Sequence, residues 1–404
     1  MVAERSGDPM ILPVSGIRLG TTAAGIKRVG HPDLVVCELV AGTRVAAVFT
    51  RNRFCAAPVH VAREHMAITP PRYLLINTGN ANAGTGAAGL QAAKHCCAVL
   101  AQHGGVRVDS VLPFSTGVIG EPLPVKRLTD AIPAALAGLD DNGWAEAATG
   151  ILTTDTVPKA VCCRVALSGG EVTLTGIAKG AGMIRPDMAT MLAFIATDAD
   201  VTQARLQECL REAVRTTFHR ITVDGDTSTN DACVLMGTGA SRIGLTPGTD
   251  DAEHFQDALT DLARRLAQAI VRDGEGATRL ITIDVGGARD AGEAEAVAFT
   301  IAHSPLVKTA VFAGDPNWGR ILAAIGRAGV DDMDVERVTL WLDDLCIAAD
   351  GARAVGYCEQ AARERMARPE ITIRVHLGRG QGSAIVWTCD FSYEYVRINA
   401  EYRT

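Results

Sequence analysis

The residues best suited to chemistry lie between Gly176 and Ile195. Lys179 stands there among glycines, Pro186 and Asp187 read as a turn, and Thr190 opens the run Met191–Ala196, which is apolar on both faces. Such a run reads as a buried central strand, so Thr190 would sit at its mouth with restricted access to water. The loop glycines around Lys179 allow close backbone approach. A lysine beside a threonine at a buried strand end suits a poised nucleophilic pair. A flexible loop followed by a strand-opening threonine explains the same residues.

Four further segments carry polar groups in chemically useful patterns. Ser115, Thr116, Gly117 and Gly120 follow the apolar run Val111–Phe114, and such a strand end exposes backbone N–H groups to an oxyanion, or else is a plain turn. Between Thr153 and Lys159 several hydroxyls surround Asp155, which either caps a turn or takes part in a site. Asp224–Asp231 holds three carboxylates, but Leu235 occupies the position where a calcium loop needs its bidentate Glu. No metal is therefore expected. Glu275 lies between Gly274 and Gly276 after a helix, and termination of that helix explains the glycines but not the carboxylate.

One attractive pattern fails on spacing. Gly84–Gly89 fits the G-x-G-x-x-G dinucleotide fingerprint, yet six residues from Thr78 to Ala83 separate it from the preceding strand Tyr73–Asn77. The fingerprint needs its first glycine in a tight turn directly off the strand. No phosphate-binding P-loop motif occurs either, and no cofactor is expected.

The elements that must position these groups are legible from periodicity. Strand-like runs include Leu34–Val40, Val45–Thr50, Cys162–Leu167, Glu171–Gly176, Thr190–Ala196, Ala232–Gly237, Leu280–Val285, Glu370–Leu377 and Ala384–Cys389. In Glu370–Leu377 the residues Ile371, Ile373, Val375 and Leu377 share one face. Asp251–Asp273 carries Phe255, Leu259, Leu262, Leu266 and Ile270 at helical spacing, and Val201–Phe218 has a similar stripe. Strands and helices mix without strict alternation, which predicts a layered α/β fold with much antiparallel pairing. No linker composition marks a domain boundary.

The 404 residues, 48% hydrophobic and 21% charged, suffice for a sizeable core and exclude a disordered chain. A net charge of −7 without like-charge blocks leaves no footprint for nucleic acid or an anionic membrane. The uncharged run Tyr73–Ala93 is too polar to span a bilayer, and Met1–Val14 has no secretory signal pattern. Eleven cysteines without a C-x-x-C spacing read as reduced, mostly buried thiols. These features point to a soluble cytosolic protein that handles a small molecule.

Taken in order, Asn77–Asn82, Ser115–Gly120, Thr153–Thr156, Lys179–Met183, Met188–Leu192, Asp224–Asp231, Glu275-Gly276, Asp315–Arg320 and Asn399–Thr404 form a single pattern. The chain closely resembles the ornithine acetyltransferase (ArgJ) family of arginine biosynthesis, from about Gly16 to Thr404. The resemblance implies an αββα sandwich of the DmpA/ArgJ-like type, with two sheets face to face, helices outside, and a smaller C-terminal α/β domain. It implies self-cleavage between Ala189 and Thr190, giving chains 1–189 and 190–404 that stay together, usually as an α2β2 assembly in the cytoplasm. Thr190 is then the nucleophile, with its freed α-amine as general base. Thr116 and Gly117 are the oxyanion hole, and Lys179 keeps that amine neutral. Thr154, Lys179, Thr190, Glu275, Asn399 and Thr404 are substrate-binding positions. The reaction implied is ping-pong transfer of acetyl from N-acetylornithine to glutamate, with acetyl-CoA a donor in some members. An N-terminal-nucleophile amidase or aminopeptidase that passes the acyl group to water is the competing reading, distinguished by its indifference to glutamate. A non-catalytic metabolite-binding relative is a third, and the intact Thr116, Gly117, Lys179 and Thr190 weigh against it.

Overall fold

In the computed structural model, residues 11–26, 30–185 and 191–401 are described, so Ala189, Thr190 and Thr404 lie outside the described residues. In chain order the strands are β1 (Ile17–Thr22), β2 (Leu34–Leu39), β3 (Arg44–Phe49), β4 (Tyr73–Asn77), β5 (Val111–Ser115), β6 (Lys159–Leu167), β7 (Gly170–Lys179) and β8 (Leu192–Thr197). They continue as β9 (Ala232–Gly237), β10 (Leu280–Ala288), β11 (Thr339–Leu342), β12 (Leu345–Ala349), β13 (Ala352–Arg353), β14 (Glu370–His376) and β15 (Gly382–Cys389). The helices are α1 (Ala57–Ile68), α2 (Gly86–Gly104), α3 (Val125–Ala137), α4 (Trp144–Gly150), α5 (Gln203–Thr216), α6 (Asp250–Arg272), α7 (Ala291–Ala302), α8 (Pro305–Phe312), α9 (Trp318–Gly326), α10 (Glu359–Met366) and α11 (Tyr393–Ala400).

The strands form three sheets, ordered β1-β2-β4-β5, β3-β9-β8-β7-β6 and β13-β12-β11-β14-β10-β15. Most neighbours are antiparallel, while β4–β5, β8–β9 and β10–β14 run parallel. The first two sheets pack face to face over a shared core that includes Leu74, Ile76, Phe114, Ile177, Phe194 and Val234. Helices α2 and α3 cover the outer face of the first sheet through Cys97, Leu100 and Ile132. Helices α5 and α6 cover the second through Leu210, Leu259 and Leu266. The third sheet has its own core with α7, α9 and α10. This is the αββα sandwich with a smaller C-terminal α/β domain. No described helix is long and apolar enough to cross a membrane.

Local sequence accounts for the elements that matter most. Thr249 caps α6 by accepting the Ala252 N–H, with Asp250, Asp251 and Glu253 in the first turn, where carboxylates suit the helix dipole. Its stripe Phe255, Leu259, Leu262, Leu266 and Ile270 is wholly buried. All six residues of β8 are buried, as a central strand requires.

One expectation needs correction. Lys179 is the last residue of β7, not part of the following loop, and it pairs in register with Leu192 of β8. Gly176 invites an early strand end in the sequence, but here it lets α6 approach. A Cβ on Gly176 would lie 3.0 Å from both Leu262 and Leu266. The strand β8 begins at Leu192, two residues later than the strand-like run Thr190–Ala196 suggests.

Candidate active site

The C-terminal ends of β4, β5 and β7 and the N-terminal ends of β8 and β9 gather at one end of the sandwich. Asn230, just before β9, ties the two sheets together there: its amide donates to the carbonyls of Ala81 (2.6 Å) and Ser115 (2.9 Å). A cavity of about 240 Å³ opens at this point. It is lined by Thr116, Gly117, Thr154, Lys179, Glu275 and Asn399, and also by Met191, the residue that follows Thr190 in the chain.

The turn after β5 is built rigidly. The Ser115 hydroxyl donates to the Asn77 carboxamide (2.6 Å), the Thr116 N–H to the Asn77 carbonyl (3.0 Å), and the Val118 N–H to the Gly79 carbonyl (3.3 Å). Gly117 has φ +133°, and a Cβ there would collide with the backbone of Gly79 and Asn80. Its N–H finds no acceptor among the described residues, and neither does the Thr116 hydroxyl. Two donors thus face the cavity unused, the arrangement an oxyanion needs.

Lys179 is 7% exposed and donates to the Thr153 hydroxyl (2.6 Å) and the Thr116 hydroxyl (3.3 Å). The Asp155 carboxylate is 3.7 Å from its ammonium. Asp155 accepts bonds from Lys159 (2.7 Å), the Gly180 N–H (2.6 Å) and the Thr153 N–H (3.1 Å). Lys159, equally buried, also donates to Asp273 (2.6 Å), which takes the Thr156 N–H and hydroxyl as well. Burial by itself pushes the Asp155 carboxyl up, but the charges of Lys179 and Lys159 and the Gly180 N–H outweigh it. The group is held well below the usual carboxylate range. Two lysines and two aspartates therefore balance beneath the cavity.

On the other side Glu275 is buried, anchored by its own N–H to the Ala181 carbonyl (2.9 Å). One carboxylate oxygen accepts the Asn399 amide (2.8 Å), and no Lys or Arg is paired with Glu275 among the described residues. A buried carboxylate without a cation is costly, so this wall is suited to a ligand ammonium.

The chain matches the ArgJ family model over residues 18–404. It is 57% identical over 398 residues to the arginine biosynthesis bifunctional protein ArgJ of Methylococcus capsulatus, covering 98% of this chain and 97% of that one. The protein becomes a member of the ArgJ family on that match. The ArgJ protein of Pseudomonas syringae pv. tomato is 53% identical over 401 residues, covering 98% of each. Among solved structures, a chain of the arginine biosynthesis bifunctional protein ArgJ of Bacillus halodurans aligns with TM-score 0.51 and 42% identity. All of that chain is matched by 53% of this one.

Within this ArgJ-family chain, Thr116, Gly117, Thr154, Lys179, Glu275 and Asn399 converge on one cavity. Ala189, Thr190 and Thr404 lie outside the described residues. The sequence singles out Thr153–Lys159 for the hydroxyls around Asp155 but gives Lys159 and Asp273 no role of their own. Lys159 follows Asp155 by four residues and Asp273 precedes Glu275 by two, which is the only local signal they offer. The loop at Asp224 supports structure: its carboxylate accepts the N–H groups of Met183 (2.6 Å) and Ile184 (3.0 Å), holding the segment that follows Lys179. Gly84–Gly89 leads into α2, where the Asn82 amide donates to the Gly89 carbonyl and its carboxamide oxygen accepts from the Thr85 hydroxyl. None of the eleven cysteines forms a disulfide, and six of them are buried.

Proposed function

We propose that this chain is a glutamate N-acetyltransferase of arginine biosynthesis that moves acetyl from N2-acetylornithine to glutamate through an ester on Thr190. The observation that carries the reading is a single cavity of amino-acid size, with Thr116 and Gly117 offering donors without an acceptor on one wall and Glu275 without a Lys or Arg partner on another, both among the described residues.

The chemistry begins with self-cleavage. Thr190 Oγ attacks the Ala189 carbonyl, the acyl group shifts from nitrogen to oxygen, and water hydrolyses the ester. The products are a carboxylate on Ala189 and a free α-amine on Thr190. An α-amine has an ordinary pKa of about 7.7–8.0, whereas the former amide nitrogen had no useful basicity, so the cut creates a general base beside the nucleophile. Chains 1–189 and 190–404 would remain interleaved, because β3 pairs with β9 and β7 with β8 across the cut.

In the transfer cycle the α-amine takes the Thr190 hydroxyl proton as Oγ attacks the acetyl carbon. The tetrahedral oxyanion is met by the Gly117 N–H and Thr116 hydroxyl, and the proton passes to the departing ornithine amine. Glutamate's amine then attacks the acetyl ester and Thr190 is restored. Lys179 disfavours a second positive charge nearby and so keeps the α-amine neutral. Glu275, with Asn399, receives a substrate ammonium, while Thr154 and Thr404 contribute to substrate binding. The same ester forms from either donor, so we extend the reading to acetyl-CoA. We also place the enzyme in the cytoplasm as an α2β2 assembly.

Denaturing gels and intact mass should show fragments of 189 and 215 residues, and Thr190→Ala should abolish both cleavage and transfer. Acetylornithine and acetyl-CoA, offered separately with glutamate, read out the two donors. Acetate released at the same rate without glutamate would replace this reading with an amidase.

A further inference from the structure

Lys179 lies close to a carboxylate, yet its hydrogen bonds go to hydroxyls. Asp155 Oδ2 is 3.7 Å from the Lys179 ammonium, beyond hydrogen-bond reach, whereas Thr153 Oγ1 is at 2.6 Å and Thr116 Oγ1 at 3.3 Å. The reason is that Asp155 is already committed. Its Oδ1 takes the Lys159 ammonium and the Gly180 N–H, and its Oδ2 takes the Thr153 N–H. Lys159 is in turn fixed by Asp273. Asp155 therefore compensates the charge of Lys179 without capturing its protons.

We propose that Asp155 is a positioning residue for catalysis: it balances Lys179 and anchors Gly180 while leaving the lysine to donate to Thr116. With Thr116 Oγ1 accepting from Lys179, the hydroxyl's own proton is free for the cavity, where it serves the oxyanion. Asp155 thus acts through Lys179 and Thr116 and touches no substrate. Lys159 is part of the same device, since without it the Asp155 carboxylate would draw Lys179 away from Thr116. The inference rests on the oxyanion role proposed for Thr116.

The test is a four-member cycle of wild type, Asp155→Asn, Thr116→Ala and the double variant, each checked for cleavage and thermal midpoint and assayed for acetyl transfer. Asp155→Asn should lower kcat about 10–100-fold with KM within about twofold, because the lost interaction belongs to the transition state. In the Thr116→Ala background the same change should lower kcat less than about threefold further, since effects through one shared group do not multiply. Asp155→Glu should recover about tenfold over Asp155→Asn. Losses that multiply in the double variant, or a rise in KM with kcat unchanged, would overturn the proposal. If Asp155→Asn does not fold, Asp155→Ser carries the same cycle. If the wild type passes acyl groups to water rather than glutamate, the proposed function fails alone, and the cycle is read on that hydrolysis.

Discussion

Two regions of this molecule bury a lysine, and they handle the charge in opposite ways. Beneath the cavity, Lys159 and Lys179 are matched by Asp155 and Asp273, and every carboxylate of the set accepts bonds from backbone N–H groups as well. In the C-terminal domain Lys308, 1% exposed, has no carboxylate within 4 Å among the described residues. Its ammonium donates to the Thr388 hydroxyl (2.8 Å) and the Cys389 carbonyl, and lies 4.5 Å over the Phe391 ring. Burial pushes its pKa down, only partly offset by Cys389, Asp390 and Asp224. The contrast follows from use. At the cavity a buried lysine must face hydroxyls, which demands compensating charge close by. Lys308 has only to satisfy a carbonyl and a hydroxyl at the end of β15 and fill space against an aromatic face.

The largest test of this contrast is Lys159→Met. It strands Asp155 and Asp273 with one lysine between them and should cost about 3–5 kcal/mol in urea unfolding, the penalty of an uncompensated buried charge. Acid is the second. Because the folded-state pKa of Asp155 is depressed, its contribution is complete above the unfolded value of about 4 and is lost as pH falls below it. Unfolding midpoints stepped from pH 5 to pH 3 should therefore drop, and Asp155→Asn should flatten that part of the curve.

Lys308→Met should differ from wild type by no more than about 1.5 kcal/mol, since a similar volume replaces a group whose charge was already disfavoured. A loss as large as that of Lys159→Met would erase the distinction between the two sites. The same variant should remove a slope on the alkaline side. Wild-type stability should rise as pH climbs toward the unfolded value of about 10.4, because the unfolded chain still holds a proton that the folded one sheds earlier. The smallest effect concerns His303, pushed down to about 4 by burial and by Arg185, Lys308 and Arg327. Between pH 6.5 and 4 the unfolded chain binds the extra proton, so stability should decline, and His303→Asn should flatten that window.

Much of this was legible in the chain. Alternation in Glu370–His376 and the stripe of α6 identify a strand and a helix, because each pattern reports which face is buried. The site motifs are legible for a different reason: Thr116, Gly117, Lys179 and Glu275 sit in short polar segments at element ends, where local composition departs from packing needs. Less legible was Lys179, which glycines assigned to a loop although β7 continues through it. Gly176 misleads because its lack of a side chain serves α6 packed over the sheet, a neighbour about ninety residues away.

By itself, then, the sequence determined the elements, the candidate nucleophile and oxyanion groups, and the resemblance that names the family. Those are properties of residues near one another in the chain, where periodicity and turn chemistry act. Only the tertiary structure decided that Asp155 is shared between two lysines, that Asp273 closes the charge balance from the far side of the proposed cut, and that Glu275 meets Asn399. These depend on which groups lose water together, and desolvation is set by neighbours in space, whatever their distance along the chain.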